Sequence, residues 1–210
     1  MLQAIFFDQD NTLVNTREVA GEAYRAAIKW VALQKKIDFE KLFLEWRGVL
    51  DSLKNSKKPE ERQFSYSLSQ IVKEEDLVED ALEIYKKILK EKIQLNLGVK
   101  DFFENKIEGM KYILMTEDFD DQIEIKLEKF GLRERFDLIV GSDLVKLMKP
   151  NIKFLKIAWD KFGLDPKKCL YIGDNYDKDC RLGIENGGKA LVFGKDFTDF
   201  RELELLLKNY

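Results

Sequence analysis

The chain has 210 residues, 45% of them hydrophobic and 36% charged, with 12 Gly, 3 Pro and a net charge of −3. This composition excludes disordered and fibrous classes and leaves room for one full domain with a smaller companion. Lysine and glutamate are interspersed throughout, which argues against nucleic acid and anionic membrane as partners, and the absence of histidine removes His-based triads and His-ligated zinc or haem.

Residues 2–7, Leu2-Gln3-Ala4-Ile5-Phe6-Phe7, read as a buried strand that runs directly into Asp8-Gln9-Asp10-Asn11-Thr12-Leu13. From Thr16 the period changes, predicting helices over about 16–35, 38–54, 60–73 and 75–93. Alternation then resumes: a short helix at 99–105, a strand at 112–115, a helix at 119–130 and a strand at 138–140. A helix at 151–162, a strand at 170–172, a helix at 177–186, a strand at 190–193 and a terminal helix after Asp199 follow. The fold class predicted is α/β, a doubly wound parallel sheet of Rossmann-like form with an inserted helical bundle. Roughly eighty residues of helix are too many for an ordinary crossover. Residues 1–15 and 96–210 are therefore expected to form the core, and 16–95 a separate helical domain.

The N-terminus carries no basic flank, apolar region and cleavage site of a secretory signal, and no apolar run approaches a membrane span. A cytoplasmic location is expected. Cys169, in a strand pattern, and Cys180, opening a helix, are expected to be reduced and separate.

Ligands of such sheets sit beyond the carboxyl ends of the strands, so the strand ends locate the chemistry. The first strand ends at Asp8 and Asp10, the strand at 112 at Thr116, and the strand at 170 at Gly173-Asp174, with Asp177 and Asp179 following. Lys149, ahead of Pro150, lies just past the strand at 138. Asp8 and Asp10 point the same way, and a bound cation is the simplest reason for two carboxylates to meet there.

The set suits phosphoryl transfer. An Asp8 carboxylate can attack phosphorus and form an acyl phosphate, while Asp10 can protonate the leaving oxygen and later deprotonate water. Mg²⁺ held by Asp8, Asp174 and a backbone carbonyl would keep Asp8 ionised beside a dianion. Thr116 would hydrogen-bond a phosphoryl oxygen, and Lys149 would balance the charge of the transition state.

These residues, in this order and at these strand ends, resemble the haloacid dehalogenase-like hydrolases over residues 1–15 and 96–210, with a helical cap inserted between the first two motifs. The resemblance implies Asp8 as nucleophile, Asp10 as general acid and base, and Thr116 and Lys149 as phosphate ligands. It implies Asp8, Asp174 and the Asp10 backbone carbonyl as metal ligands. Asp179 would orient Lys149 or the metal's waters. The family's true dehalogenases lack the second acid, so the presence of Asp10 implies a Mg²⁺-dependent phosphatase acting on a small soluble phosphate monoester. A phosphotransferase or mutase of the same superfamily, and a non-catalytic phospho-acceptor or scaffold, are the alternatives. No oligomeric state follows.

One position departs from the family. Glu117-Asp118 replaces the usual Asn and small residue after Thr116, and added negative charge there would weaken phosphate binding unless the side chains point away. Asp177 is expected to cap the helix at 178, and Gly183, Gly187 and Gly188 to serve helix packing and termination. In the insertion, Tyr24, Trp30, Phe39, Phe43, Trp46 and Tyr66 are expected in its core, and Arg17, Arg47 and Arg62 on solvated helix faces.

Overall fold

A computed structural model describes residues 1–208, so the last two residues of the expected core, 209 and 210, lie outside the described residues. The chain divides into two compact units, Thr16–Ile93 and a unit made of Met1–Asn15 with the chain from Gln94 onward.

The second of these units is built on five parallel strands: β1 (Ala4–Asp8), β2 (Lys111–Met115), β3 (Leu138–Val140), β4 (Cys169–Gly173) and β5 (Lys189–Val192). Their order is β3-β2-β1-β4-β5, which makes β1 the central strand, paired with β2 on one side and β4 on the other. Alternation sends its side chains to two cores. Ile5 and Phe7 pack with Tyr112, Leu114, Leu170 and Ile172 on one face, and Ala4 and Phe6 with Ile113, Met115, Cys169 and Tyr171 on the other. Both faces are covered, so β1 is buried throughout.

The first face is covered by α5 (Val99–Glu104), α6 (Asp120–Glu128) and α10 (Phe200–Leu207), through residues such as Phe102, Ile123, Leu127 and Phe200. A capping box of Asp199 and Glu202 starts α10. The opposite face is covered by α8 (Lys153–Phe162) through Phe154, Leu155 and Ala158, with Leu182 of α9 (Arg181–Glu185) packed against the same cluster. A one-turn helix, α7 (Ser142–Val145), follows β3 and was not expected. Asn15 and Gln94 exchange hydrogen bonds of 2.8 and 3.1 Å where the chain leaves and re-enters the sheet unit.

The helical unit holds α1 (Thr16–Lys35), α2 (Phe39–Leu53), α3 (Phe64–Ser69) and α4 (Glu75–Lys92). Asp38 caps α2, accepting from the Lys41 N–H at 2.8 Å. The helix expected over 60–73 is instead a 3₁₀ turn over Pro59–Arg62 followed by α3, because Gln63 between them is extended. Lys73 then donates to the carbonyls of Ser69 and Gln70, closing off the helix end. Of the aromatics expected in this core only Trp46 is fully buried, and Phe64 and Tyr85 complete the cluster around Tyr24. Phe39 and Phe43 instead lie under the Arg25 guanidinium.

Among the described residues no helix is long and apolar enough to cross a membrane. Cys169 and Cys180 are both free thiols, buried in the sheet unit, as expected.

Candidate active site

The parallel register brings the strand ends Asp8, Met115-Thr116, Val140 and Gly173-Asp174 to one edge of the sheet. Beyond β1 the chain turns tightly: Leu13 and Val14 donate to the Gln9 carbonyl, and Asn11 takes a left-handed φ of 60°. The turn folds Thr12 back onto the strand end, where its hydroxyl donates to Asp8 Oδ2 at 2.9 Å. Thr12 is a site contact that the motif contained but that sequence reasoning left without a role. Its signal was a hydroxyl four residues beyond the acid in a turn.

Lys149 connects the strand ends. Its ammonium donates to Asp8 Oδ1 at 2.6 Å, Asp179 Oδ1 at 2.6 Å and the Met115 carbonyl at 3.2 Å, which uses all three of its protons. The peptide it forms with Pro150 is cis. Asp179 lies on a single π-helical turn, Tyr176–Cys180, opened by Asn175, whose side chain accepts from the Lys178 N–H. Asn175, rather than Asp177, is thus the cap: Asp177 is exposed and paired with Arg181 at 3.1 Å. The second Asp179 oxygen accepts from the Asn175 N–H at 3.1 Å. Gly173 makes this approach possible, since a Cβ there would sit 2.4 Å from the Asp179 side chain. Gly183 and Gly188 serve packing, as expected: a Cβ on either would strike the Tyr171 ring.

Asp8, Asp174 and Asp179 each offer a carboxylate oxygen, all within 4.8 Å of one another. The donors are hard oxygens, the ligand type that suits a hard dication such as Mg²⁺, and Lys149 pairs with two of the three, Asp8 and Asp179. Asp8 shows the same demand. Burial pushes its carboxyl up, Lys149 opposes, and Asp179 and Asp10 push it up again, leaving it at about 8. More positive charge is needed to keep it ionised at neutral pH.

The Asp10 carboxylate lies apart from this triple. It accepts from Lys126 of α6 at 2.5 Å, and the same ammonium donates to Asp118 at 2.5 Å. Lys126 is buried; desolvation would lower its pKa, but the two carboxylates hold it above the usual lysine range, so it stays charged. Burial and the neighbouring Asp10 push Asp118 up to about 6 against the pull of Lys126. Glu117 accepts from the Lys149 N–H at 2.8 Å and from the Lys178 ammonium at 2.7 Å. The acids that depart from the family pattern are therefore both paired with lysines. Thr116 is buried, its hydroxyl accepting from the Asp118 N–H at 3.1 Å, with its own proton available to donate.

Lys126 was missed by sequence reasoning. The available signal was its spacing: it lies three residues after Ile123 and beside Leu127, on the face that α6 buries.

Sheet order, strand-end acids and the intervening helical unit together define a class. The chain belongs to the haloacid dehalogenase-like hydrolases, whose family model matches residues 5–192. Among curated proteins it is similar to the glyceraldehyde 3-phosphate phosphatase of Methanocaldococcus jannaschii, 27% identical over 89% of this chain and 82% of the relative. It is also similar to pyrophosphatase PpaX of Halalkalibacterium halodurans, 26% identical over 92% of this chain and 84% of the relative. The solved HAD phosphatase from Thermococcus onnurineus shares the fold, with a TM-score of 0.77 and 17% identity across 98% of both chains.

Proposed function

We propose that this protein is a Mg²⁺-dependent phosphatase that hydrolyses a small soluble phosphate monoester through an aspartyl phosphate on Asp8. The observation that carries the reading is the convergence of Asp8, Lys149 and Asp179 with Asp10 on the neighbouring turn, all at one sheet edge. Phosphatase relatives over most of the chain support it.

Asp8 attacks phosphorus, forming an acyl phosphate as the bond to the leaving oxygen breaks. Asp10, protonated at the start, gives its proton to that oxygen, then takes one from the water that attacks the acyl phosphate, which releases phosphate and restores the Asp8 carboxylate and the protonated Asp10. Thr116 donates to a phosphoryl oxygen, as does Lys149 once it exchanges one of its three partners, of which the Met115 carbonyl at 3.2 Å is the longest, and Asp179 keeps Lys149 aimed. Mg²⁺ would be held by Asp8, Asp174 and the Asp10 backbone carbonyl, and when bound supplies the positive charge that lets an ionised Asp8 face a dianion. Asp179 lies close enough to serve as a further oxygen donor. The helical unit, Thr16–Ile93, is assigned the family's cap role of choosing the leaving group. Phosphate chemistry and the absence of any membrane-length helix among the described residues fit a soluble metabolite as substrate and the cytoplasm as location.

A panel of phosphorylated metabolites that includes glyceraldehyde 3-phosphate, scored by phosphate release with Mg²⁺ and with a chelator, tests the reading. Turnover of at least one monoester, abolished by the chelator, is expected. Failure to turn over any ester would contradict it.

A further inference from the structure

Lys126 and Lys149 are the buried lysines among the described residues, and the proposed reaction uses only Lys149. An ammonium is costly to bury unless it is fully paired, so the placement of Lys126 calls for a reason. Its partners lie far apart in sequence: Asp10 is 116 residues away on the β1 turn, and Asp118 is on the segment after β2.

Each end of this link is fixed. The Lys126 stem leaves a helix anchored in the core by Ile123 and Leu127, both essentially fully buried. Asp118 is held by its own backbone, the N–H donating to Thr116 Oγ1 at 3.1 Å and the carbonyl accepting from Ser142 at 2.8 Å. Asp10, by contrast, is the partly exposed member, with 32% of its side chain accessible, on a turn that contains a left-handed residue. Proton transfer needs a fixed approach, and a buried, charged anchor supplies one to a partly exposed carboxyl group.

We propose that Lys126 is a positioning residue for proton transfer: by donating to Asp10 Oδ1 it fixes the Asp10 carboxyl group so that the other oxygen, when protonated, faces the leaving oxygen, with Asp118 anchoring the far side of its ammonium. This rests on the reading of Asp10 as general acid given above. It also gives the acid at 118 a purpose, since without it a single carboxylate would share the buried lysine.

The test compares two esters of similar shape. Phenyl phosphate needs its leaving oxygen protonated, whereas p-nitrophenolate departs readily as an anion. In Lys126→Met, kcat/KM for phenyl phosphate is expected to fall about 10-fold or more, and for p-nitrophenyl phosphate to stay within about threefold of wild type. Lys126→Arg, which keeps the charge, is expected to recover most of the phenyl phosphate loss. If circular dichroism shows that the Met variant does not fold, Lys126→Gln carries the same comparison. Equal losses on the two esters, or no loss on either, would overturn the proposal. Asp8→Asn, run alongside, separates the two ideas. Persistent turnover in that variant removes the phosphatase mechanism itself, whereas an inactive Asp8→Asn with equal ester losses at position 126 removes only the positioning role.

Discussion

Three lysines serve five of the acids at the sheet edge. Lys149 joins Asp8 to Asp179, Lys126 joins Asp10 to Asp118, and Lys178 takes Glu117. The Glu117-Asp118 pair therefore does not confront a phosphate with bare charge, because both side chains are engaged by lysines that sequence proximity does not reveal. Gln9, between the two acids, is the opposite case. It is fully buried, and both polar atoms of its side-chain amide lack a hydrogen-bond partner among the described residues. An unsatisfied buried amide is costly, and leucine is close to it in shape. Gln9→Leu is expected to stabilise the protein by about 1–2 kcal/mol in denaturant unfolding. A loss of stability would show that the amide is better accommodated than its contacts indicate.

At the scale of elements, the strand ends gather the site, and the joints between strands hold the ends in register. Asp137, just before β3, accepts from the Tyr112 N–H of β2 at 2.9 Å and pairs with Lys106 and Lys111. Burial would raise its carboxyl, but hydrogen bonds from Lys106, the Tyr112 backbone and Lys111 outweigh it and hold the group below the usual carboxylate range. A depressed folded-state pKa contributes stability above the unfolded pKa, and that contribution is lost as pH falls through the folded value. Asp137→Asn is expected to cost about 1 kcal/mol near neutral pH, and the gap should close in acid. A gap that does not change with pH would contradict the assignment.

The strands and the long helices were legible because a buried parallel strand is a continuous apolar run and α1, α2 and α4 repeat at helical period. Asp8, Asp10, Thr116, Lys149, Asp174 and Asp179 were legible for a related reason, since strand ends in such a sheet converge. The break at Gln63 was not, because it depends on one extended residue inside an otherwise helical pattern. Nor was Lys126, since a lysine in a helix such as Asp120–Glu128 reads as solvated until the partners that neutralise it are known.

For the molecule as a whole, Asp8, Asp10, Glu117, Asp118, Asp174 and Asp179 outnumber Lys126, Lys149 and Lys178, in a chain whose net charge is only −3. A region this acidic is expected to gain stability from a dication. Saturating Mg²⁺, at about 100 times its Kd, should add about 2.7 kcal/mol. For a chain of this size that corresponds to a rise in Tm of roughly 5–10 °C. Asp174→Asn should remove most of the rise, and an equal rise in that variant would place the ion elsewhere. The central claim is that Asp8 is the nucleophile, and the most direct measurement is Mg²⁺-dependent p-nitrophenyl phosphate hydrolysis by Asp8→Asn, purified apart from any other phosphatase. The expected result is a loss of at least about 10³-fold in kcat with the fold intact. Turnover within about tenfold of the wild-type protein would contradict it.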